Sequence, residues 1–96
     1  MRRRAKLDAN HKEVVEWIRR MGATVQSLAE VGNGCPDILV GFRGKNLLME
    51  IKDGNAKPSE QKLTDDQKAW HAGWLGRVYT VHSAADAQIV LERESC

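Results

Sequence analysis

Two acidic residues and a lysine lie within two short apolar segments of this 96-residue chain. The segments are residues 34–41, GCPDILVG, and residues 47–52, LLMEIK. They place Asp37, Glu50 and Lys52 where a plain core strand would carry apolar side chains. A charge buried in such a strand is costly unless it is paired or bound to a metal. The pattern of an aspartate followed by Glu-x-Lys therefore predicts metal-assisted hydrolysis of a phosphodiester bond.

The spacing of these residues predicts that their side chains meet. Side chains alternate across a strand, so Glu50 and Lys52 point to one face while the residues between and before them point to the other. If the two segments pair as a hairpin, Asp37 lies beside Glu50. Two charged carboxylates at that distance repel each other, and a divalent cation between them removes the conflict. Oxygen ligands favour a hard cation, Mg²⁺ or Mn²⁺, and the carbonyl of Ile51 is a further predicted metal ligand.

Each group then has an expected role in hydrolysis. The cation would polarise the scissile phosphate and lower the pKa of a bound water. Lys52 would orient that water or offset charge on the transition state. No covalent intermediate is required.

Helix geometry nominates one more carboxylate and two amides. Glu13 lies about 100° from Val14 around a helix of ~3.6 residues per turn, at the border of the apolar stripe. We therefore predict that Glu13 reaches the site as a catalytic and metal-binding residue, while Glu16 is solvated. Asn10, one turn earlier, is expected to support the site. Gln67 is expected to point into it, unless its capping role holds it at the surface.

The elements that position these residues follow from periodicity and turn signals. Helical spacing of apolar residues predicts a first helix over residues 8–21. The turn at residues 43–46 predicts an antiparallel hairpin. Thr64 and Gln67 form a capping-box signature for the second helix. The predicted fold class is α/β, in the order αβββαβα, with a mixed central sheet flanked by helices. Strands are predicted at 23–28, 36–42, 46–52 and 77–81, an exposed loop at 53–63, and a last helix from residue 83.

Length and composition limit the remaining possibilities. Ninety-six residues predict a single domain, 1–96, of which residues 1–7 form a flexible basic arm. The net charge of +2 is too small to identify a nucleic-acid binder by itself. No apolar run is long enough to span a bilayer, so no membrane partner is expected. Cys35 and Cys96 lack a framework spacing, which predicts free thiols and a cytoplasmic protein.

The same residues resemble the VRR-NUC family of the PD-(D/E)XK nuclease superfamily, in its small stand-alone form from phages and bacteria. The similarity covers roughly residues 8–82. It is carried by residues 34–37 (GCPD), residues 50–52 (EIK), Leu63-Thr64 followed by Gln67 and Trp70, and the helix feature of Asn10 and Glu13.

This resemblance implies a fold and an activity. The fold would be a restriction-endonuclease-like core, and the activity that of a Mg²⁺- or Mn²⁺-dependent endodeoxyribonuclease, a hydrolase acting on ester bonds. Relatives of this kind are structure-selective for branched or flapped DNA, and the small ones look like Holliday-junction resolvases that form homodimers. A bacterial or phage-infected cytoplasm would be the location. Asp37 and Glu50 carry over as metal ligands, Lys52 as the catalytic lysine, Gln67 as an accessory site residue, and Glu13 as the helix carboxylate.

Other interpretations remain open at this point. Glu50 and Lys52 could be an ion pair on an exposed strand, which contributes little. The chain could be a flap or single-strand nuclease of the same fold. It could also be a non-catalytic nucleic-acid-binding module that uses the basic arm and exposed lysines, or a structural protein of a phage particle or replisome.

We assign no catalytic or ligand-binding role to the tryptophans, the histidines or Cys35. Trp17 is predicted to be core. Trp70 and Trp74 lie four residues apart on one helix face, and we expect core or subunit contacts there rather than base stacking. His11, His71 and His82 lack metal-ligand spacing and are interpreted as incidental. Cys35 is assigned to packing.

Overall fold

The computed structural model describes residues 7–95, in the predicted order of elements. A short 3₁₀ turn, Pro58–Glu60, interrupts the loop before the second helix. None of the helices within residues 7–95 is long and apolar enough to cross a membrane. The regular elements are α1 (His11–Arg20), β1 (Thr24–Ser27), β2 (Ile38–Phe42), β3 (Lys45–Ile51), α2 (Asp65–Gly73), β4 (Val78–Val81) and α3 (Ala84–Glu94).

The four strands form one mixed sheet in the order β1-β2-β3-β4. The first three strands are antiparallel neighbours, and β4 runs parallel to β3. In the β2–β3 hairpin, Ile38 pairs with Met49 and Val40 with Leu47. This register puts alternate apolar side chains of both strands on one face, and it sends Asp37 and Glu50 to the other face.

The core lies on the first of these faces. α1 and α3 contact each other and pack against the sheet through α1–β1 and α3–β4 contacts. Their buried side chains meet those of the strands in one apolar cluster that includes Val14, Val15, Ile18, Ile38, Val40, Leu47, Met49, Ile51, Val81, Ala87 and Leu91. α2 buries none of its own residues and lies over the opposite face, where Trp70 and Trp74 line a groove together with Leu39 and Leu48.

The first helix differs from the prediction in two respects. It begins at His11 rather than residue 8, and Asn10 at its N-cap makes no cap hydrogen bond because its side chain bonds distant backbone carbonyls. Val15 joins Val14 and Ile18 in the buried stripe, whereas Trp17 is 41% exposed. The prediction that Trp17 belongs to the core is therefore wrong. Its indole N–H donates to Gln88 Oε1 of α3 at 2.9 Å instead. Of the predicted basic arm, residues 1–6 lie outside the described residues.

A glycine fixes the approach of the loop before β2 to the start of α2. Gly34 has φ of +84°, and a Cβ there would lie 2.3 Å from the carbonyl oxygen of Asp66. Any side chain would therefore clash with the first turn of α2 as well as adopt an unfavourable backbone conformation. The loop leads directly into Asp37, so this close approach sets the distance between Asp37 and α2.

We expect Gly34→Ala to lower the free energy of unfolding by roughly 2–5 kcal/mol, from the left-handed backbone and the overpacking together. Gly44→Ala is the matched control, because Gly44 has φ of +81° but nothing within 4 Å of its Cβ position. The control should lose only about 1–2 kcal/mol. Urea unfolding of both variants measures the difference, and equal losses would contradict the close approach.

Candidate active site

Asp37 and Glu50 lie side by side on the face of the sheet opposite the core. Each is almost completely buried, with 6% and 2% of its surface exposed. They stand one residue beyond the Ile38–Met49 pair of the hairpin. Asp37 Oδ2 accepts a hydrogen bond from the Ile51 N–H at 2.7 Å, which holds its carboxyl against the end of β3. The contact expected from the sequence between the two carboxyl groups is thus present.

This crowding changes the chemistry of Glu50. Burial raises the pKa of Glu50 from its ordinary value of 4.5 to about 9, with further contributions from the charge of Asp37 and its side-chain hydrogen bond. Lys52 opposes the rise and Asp8 adds to it. Glu50 Oε1 is buried and receives no hydrogen bond from any donor of residues 7–95. A buried carboxylate oxygen without a donor fits a bound cation or a proton.

Gln67 connects the glutamate to the lysine. Its Nε2 donates to Glu50 Oε2 at 3.1 Å, and its Oε1 accepts from Lys52 Nζ at 2.8 Å. The same Oε1 accepts the backbone N–H of Thr64 at 2.9 Å, which completes the capping box of α2. The capping role therefore does not keep Gln67 at the surface. It fixes the side chain in the orientation in which it contacts both site residues.

The segment before α1 closes the site from the other end of the chain. Asn10 Nδ2 donates to the carbonyl oxygens of Lys52 and His82, at 3.1 and 3.2 Å, and so ties the segment before α1 to the ends of β3 and β4. Asp8 Oδ2 accepts the backbone N–H of Asp53 at 2.7 Å. The sequence analysis did not nominate Asp8, because it placed Asp8 at the start of the first helix, whereas α1 begins at His11 and leaves Asp8 in the preceding segment.

Glu13 does not join this group. The buried stripe of α1 is centred between Val14 and Val15, which turns Glu13 to the exposed side of the helix. Across residues 7–95, no three His, Cys, Asp or Glu side chains are grouped so that they could hold a metal ion. Of the predicted ligands, Asp37 and Glu50 are brought together, the Ile51 N–H contacts Asp37, and Glu13 is left outside.

His71 is a second residue that the sequence reasoning passed over. It lies one helical turn after Gln67, on the side of α2 that faces the site. Burial, followed by the charge of Lys52, lowers the pKa of His71. Its Nε2 atom is buried, and within the described part of the chain it has no hydrogen-bond partner. The i, i+4 spacing from Gln67 was the available sequence signal.

The bonds made by Asn10 give a test of how the site is held. We expect Asn10→Ala to lower the free energy of unfolding by about 1–3 kcal/mol, because it removes the amide donor from the Lys52 carbonyl oxygen and one of the two donors from that of His82, which keeps the Gly54 N–H. Asn55→Ala, at an exposed loop position, should change it by no more than about 0.5 kcal/mol. Chemical denaturation measures both. A loss no larger than that of the control would show that water replaces the amide.

Comparison of the chain with models of protein families, with curated proteins and with solved structures finds no match.

Proposed function

We propose that this protein is a Mg²⁺- or Mn²⁺-dependent DNA endonuclease of the VRR-NUC type, with a restriction-endonuclease-like core. The observation that carries the proposal is the buried contact of Asp37 and Glu50, with one glutamate oxygen left without a donor and Lys52 held nearby through Gln67. Two buried carboxyl groups in contact have no evident structural benefit, since each raises the cost of ionising the other. A cation-binding role accounts for them.

Asp37, Glu50 and the carbonyl of Ile51 would hold the cation, which would supply Lewis-acid activation of the phosphate and of a water. The Ile51 N–H fixes Asp37, and Gln67 fixes Glu50, so both carboxyl groups are oriented by the protein before any ion binds. Lys52 would set its ammonium group beside the charge that develops on the phosphate. Glu13 has no part in this version of the site.

The substrate proposed is branched DNA, cut as a Holliday junction by a homodimer, and a flap or single strand cut by a monomer is the alternative within the same class. A labelled four-way junction, a flap, a duplex and a single strand should each be incubated with EDTA, Mg²⁺ and Mn²⁺. We expect metal-dependent nicks in the junction, and the molecular mass in solution separates dimer from monomer. Full activity in Asp37→Asn would remove the assignment.

A non-catalytic nucleic-acid-binding module is the second candidate. It is favoured by the lack, within the described chain, of a third acidic, His or Cys ligand beside the pair. DNA binding that weakens with salt, survives Asp37→Asn and yields no nicks with any divalent cation would support it.

A further inference from the structure

An apolar groove lies beside the candidate active site, on the same face of the sheet. We call it the tryptophan groove, and it is lined by Leu28, Cys35, Leu39, Leu48, Trp70 and Trp74. Its volume is about 430 Å³. This is within the size range of sites for small planar ligands, about 300–1,000 Å³. Only a few polar groups, among them those of Asn46 and Arg77, stand at its lining.

The two indole rings of the groove are arranged as a stacking platform. Trp70 and Trp74 are stacked, with ring centroids 4.6 Å apart and planes 18° apart. Trp74 nevertheless remains 46% exposed, so the stack is not buried in a core. Of the two contacts expected for these residues, a core contact is therefore wrong for Trp74, and a subunit contact stays a prediction. An exposed aromatic ring next to an apolar groove can accept a further flat ring.

One face of α2 joins the groove to the candidate active site. Gln67 and Trp70 lie three residues apart in α2, so their side chains project on the same side of the helix. Trp74 follows the last helical residue and stacks on Trp70. Gln67 contacts Glu50 and Lys52, while the tryptophans line the groove. Cys35 provides a second link, since it lines the groove and stands two residues before Asp37. Burial and the charges of Glu50 and Asp37 raise the pKa of its thiol, which agrees with this proximity.

We infer that the tryptophan groove binds an unpaired base of the DNA strand whose phosphate lies at Asp37 and Glu50. This inference rests on the proposed function and names the substrate feature that its site would select. A base offers the flat apolar face that the groove accepts, together with an edge that the Asn46 amide can bond. The Arg77 guanidinium is already paired with Glu94. A second protein chain is the less fitting occupant, because a stable interface requires about 800 Å² per partner, much more than this groove presents.

The first experiment measures binding without cutting. With EDTA and at low salt, oligothymidine should quench the tryptophan fluorescence, and an abasic oligomer of the same length should not. Trp74→Leu should weaken binding of the base-bearing oligomer by roughly 5- to 150-fold, the usual range for one stacked base, and Trp74→Phe should restore much of it. Trp17→Leu is the matched control, because Trp17 is as exposed as Trp74 but lies on α1 and bonds α3.

The second experiment scans the DNA. A single abasic position is moved through the cut strand, on both sides of the branch point, in a substrate that the wild type cuts. We expect one position to slow cutting strongly in the wild type and to have little effect in Trp74→Leu. The inference would be overturned if Trp74→Leu and Trp17→Leu lost the same amount of binding affinity. It would also be overturned if no abasic position slowed cutting by the wild type. A change of oligomeric state in Trp74→Leu without loss of base-dependent quenching would do so too.

The two proposals fail in different ways. Base-dependent quenching without cutting of any DNA removes the nuclease and retains the base site. Cutting without base-dependent quenching removes the base site and retains the nuclease.

Discussion

Lys52→Met is expected to reduce Mg²⁺-dependent cutting by about 10²–10³-fold, the usual loss when one electrostatic group of a transition state is removed. The fold should persist. Methionine retains most of the length of the buried stem, and Gln67 Oε1 keeps its bond from the Thr64 N–H. The loss should appear in the rate of the chemical step under single-turnover conditions, measured with a labelled four-way junction and enzyme in excess.

Lys68→Met provides the matched control for this variant. Lys68 is an exposed residue of α2, next to Gln67 in the sequence, and has no contact with the carboxyl pair in the described structure. Its replacement should weaken DNA binding modestly, as the loss of a phosphate contact does. Lower salt should compensate for this loss of affinity. Wild-type cutting rates in Lys52→Met would remove the lysine from the proposed chemistry.

Glu50→Gln is expected to stabilise the metal-free protein, although it should abolish metal-dependent cutting. The pKa of Glu50 is about 9 in the folded protein against an ordinary 4.5, so the folded state binds its proton more tightly than the unfolded state does. Stability from this group is therefore fully present below about pH 4.5 and is lost as the pH rises towards 9. The slope approaches about 1.4 kcal/mol per pH unit. At pH 8 we expect Glu50→Gln to be more stable by roughly 2–4 kcal/mol.

Urea denaturation in EDTA between pH 5 and 9 measures this difference. The wild type should lose stability with rising pH relative to the variant, whose amide does not titrate. Added Mn²⁺ should raise the melting temperature of the wild type by the mass-action contribution of a ligand that binds only the folded state, and should leave the variant unchanged. If Glu50→Gln were less stable than the wild type at pH 8 in EDTA, the raised pKa of Glu50 beside Asp37 would be contradicted.

The sequence predicted the pair itself, because strand alternation and one hairpin turn determine the face and the register of Asp37 and Glu50. Helix positions were harder to assign. Glu13 was placed by its angle from Val14, in an apolar stripe that included Trp17 and omitted Val15. In the structure Val15 is part of the core and Trp17 bonds Gln88 at the surface. Which of two apolar residues is buried depends on the shape of the sheet and of α3. A single helix does not contain that information.

The positions of Asp8, Trp70 and Trp74 also depend on tertiary contacts. Asp8 approaches the site because Asn10 ties the start of the chain to the ends of β3 and β4. Trp70 lies on α2 as predicted, whereas Trp74 follows the last helical residue and stacks on Trp70. The exposure of both depends on how far α2 stands from Leu39 and Leu48. The close approach at Gly34 sets that separation. The sequence pattern therefore did not indicate that the residues of the tryptophan groove lie next to each other.

The Asn10 amide has a consequence for synthesis of the protein. It bonds the carbonyls of residues 52 and 82, across separations of 42 and 72 residues. The end of β4 is therefore joined to Asn10 only after residue 82 has left the ribosome. A nascent chain that stops before β4 can pair the two hairpin strands, yet it lacks the strand that supports Glu50 from the other side. A ribosome-bound fragment of this length should leave DNA intact.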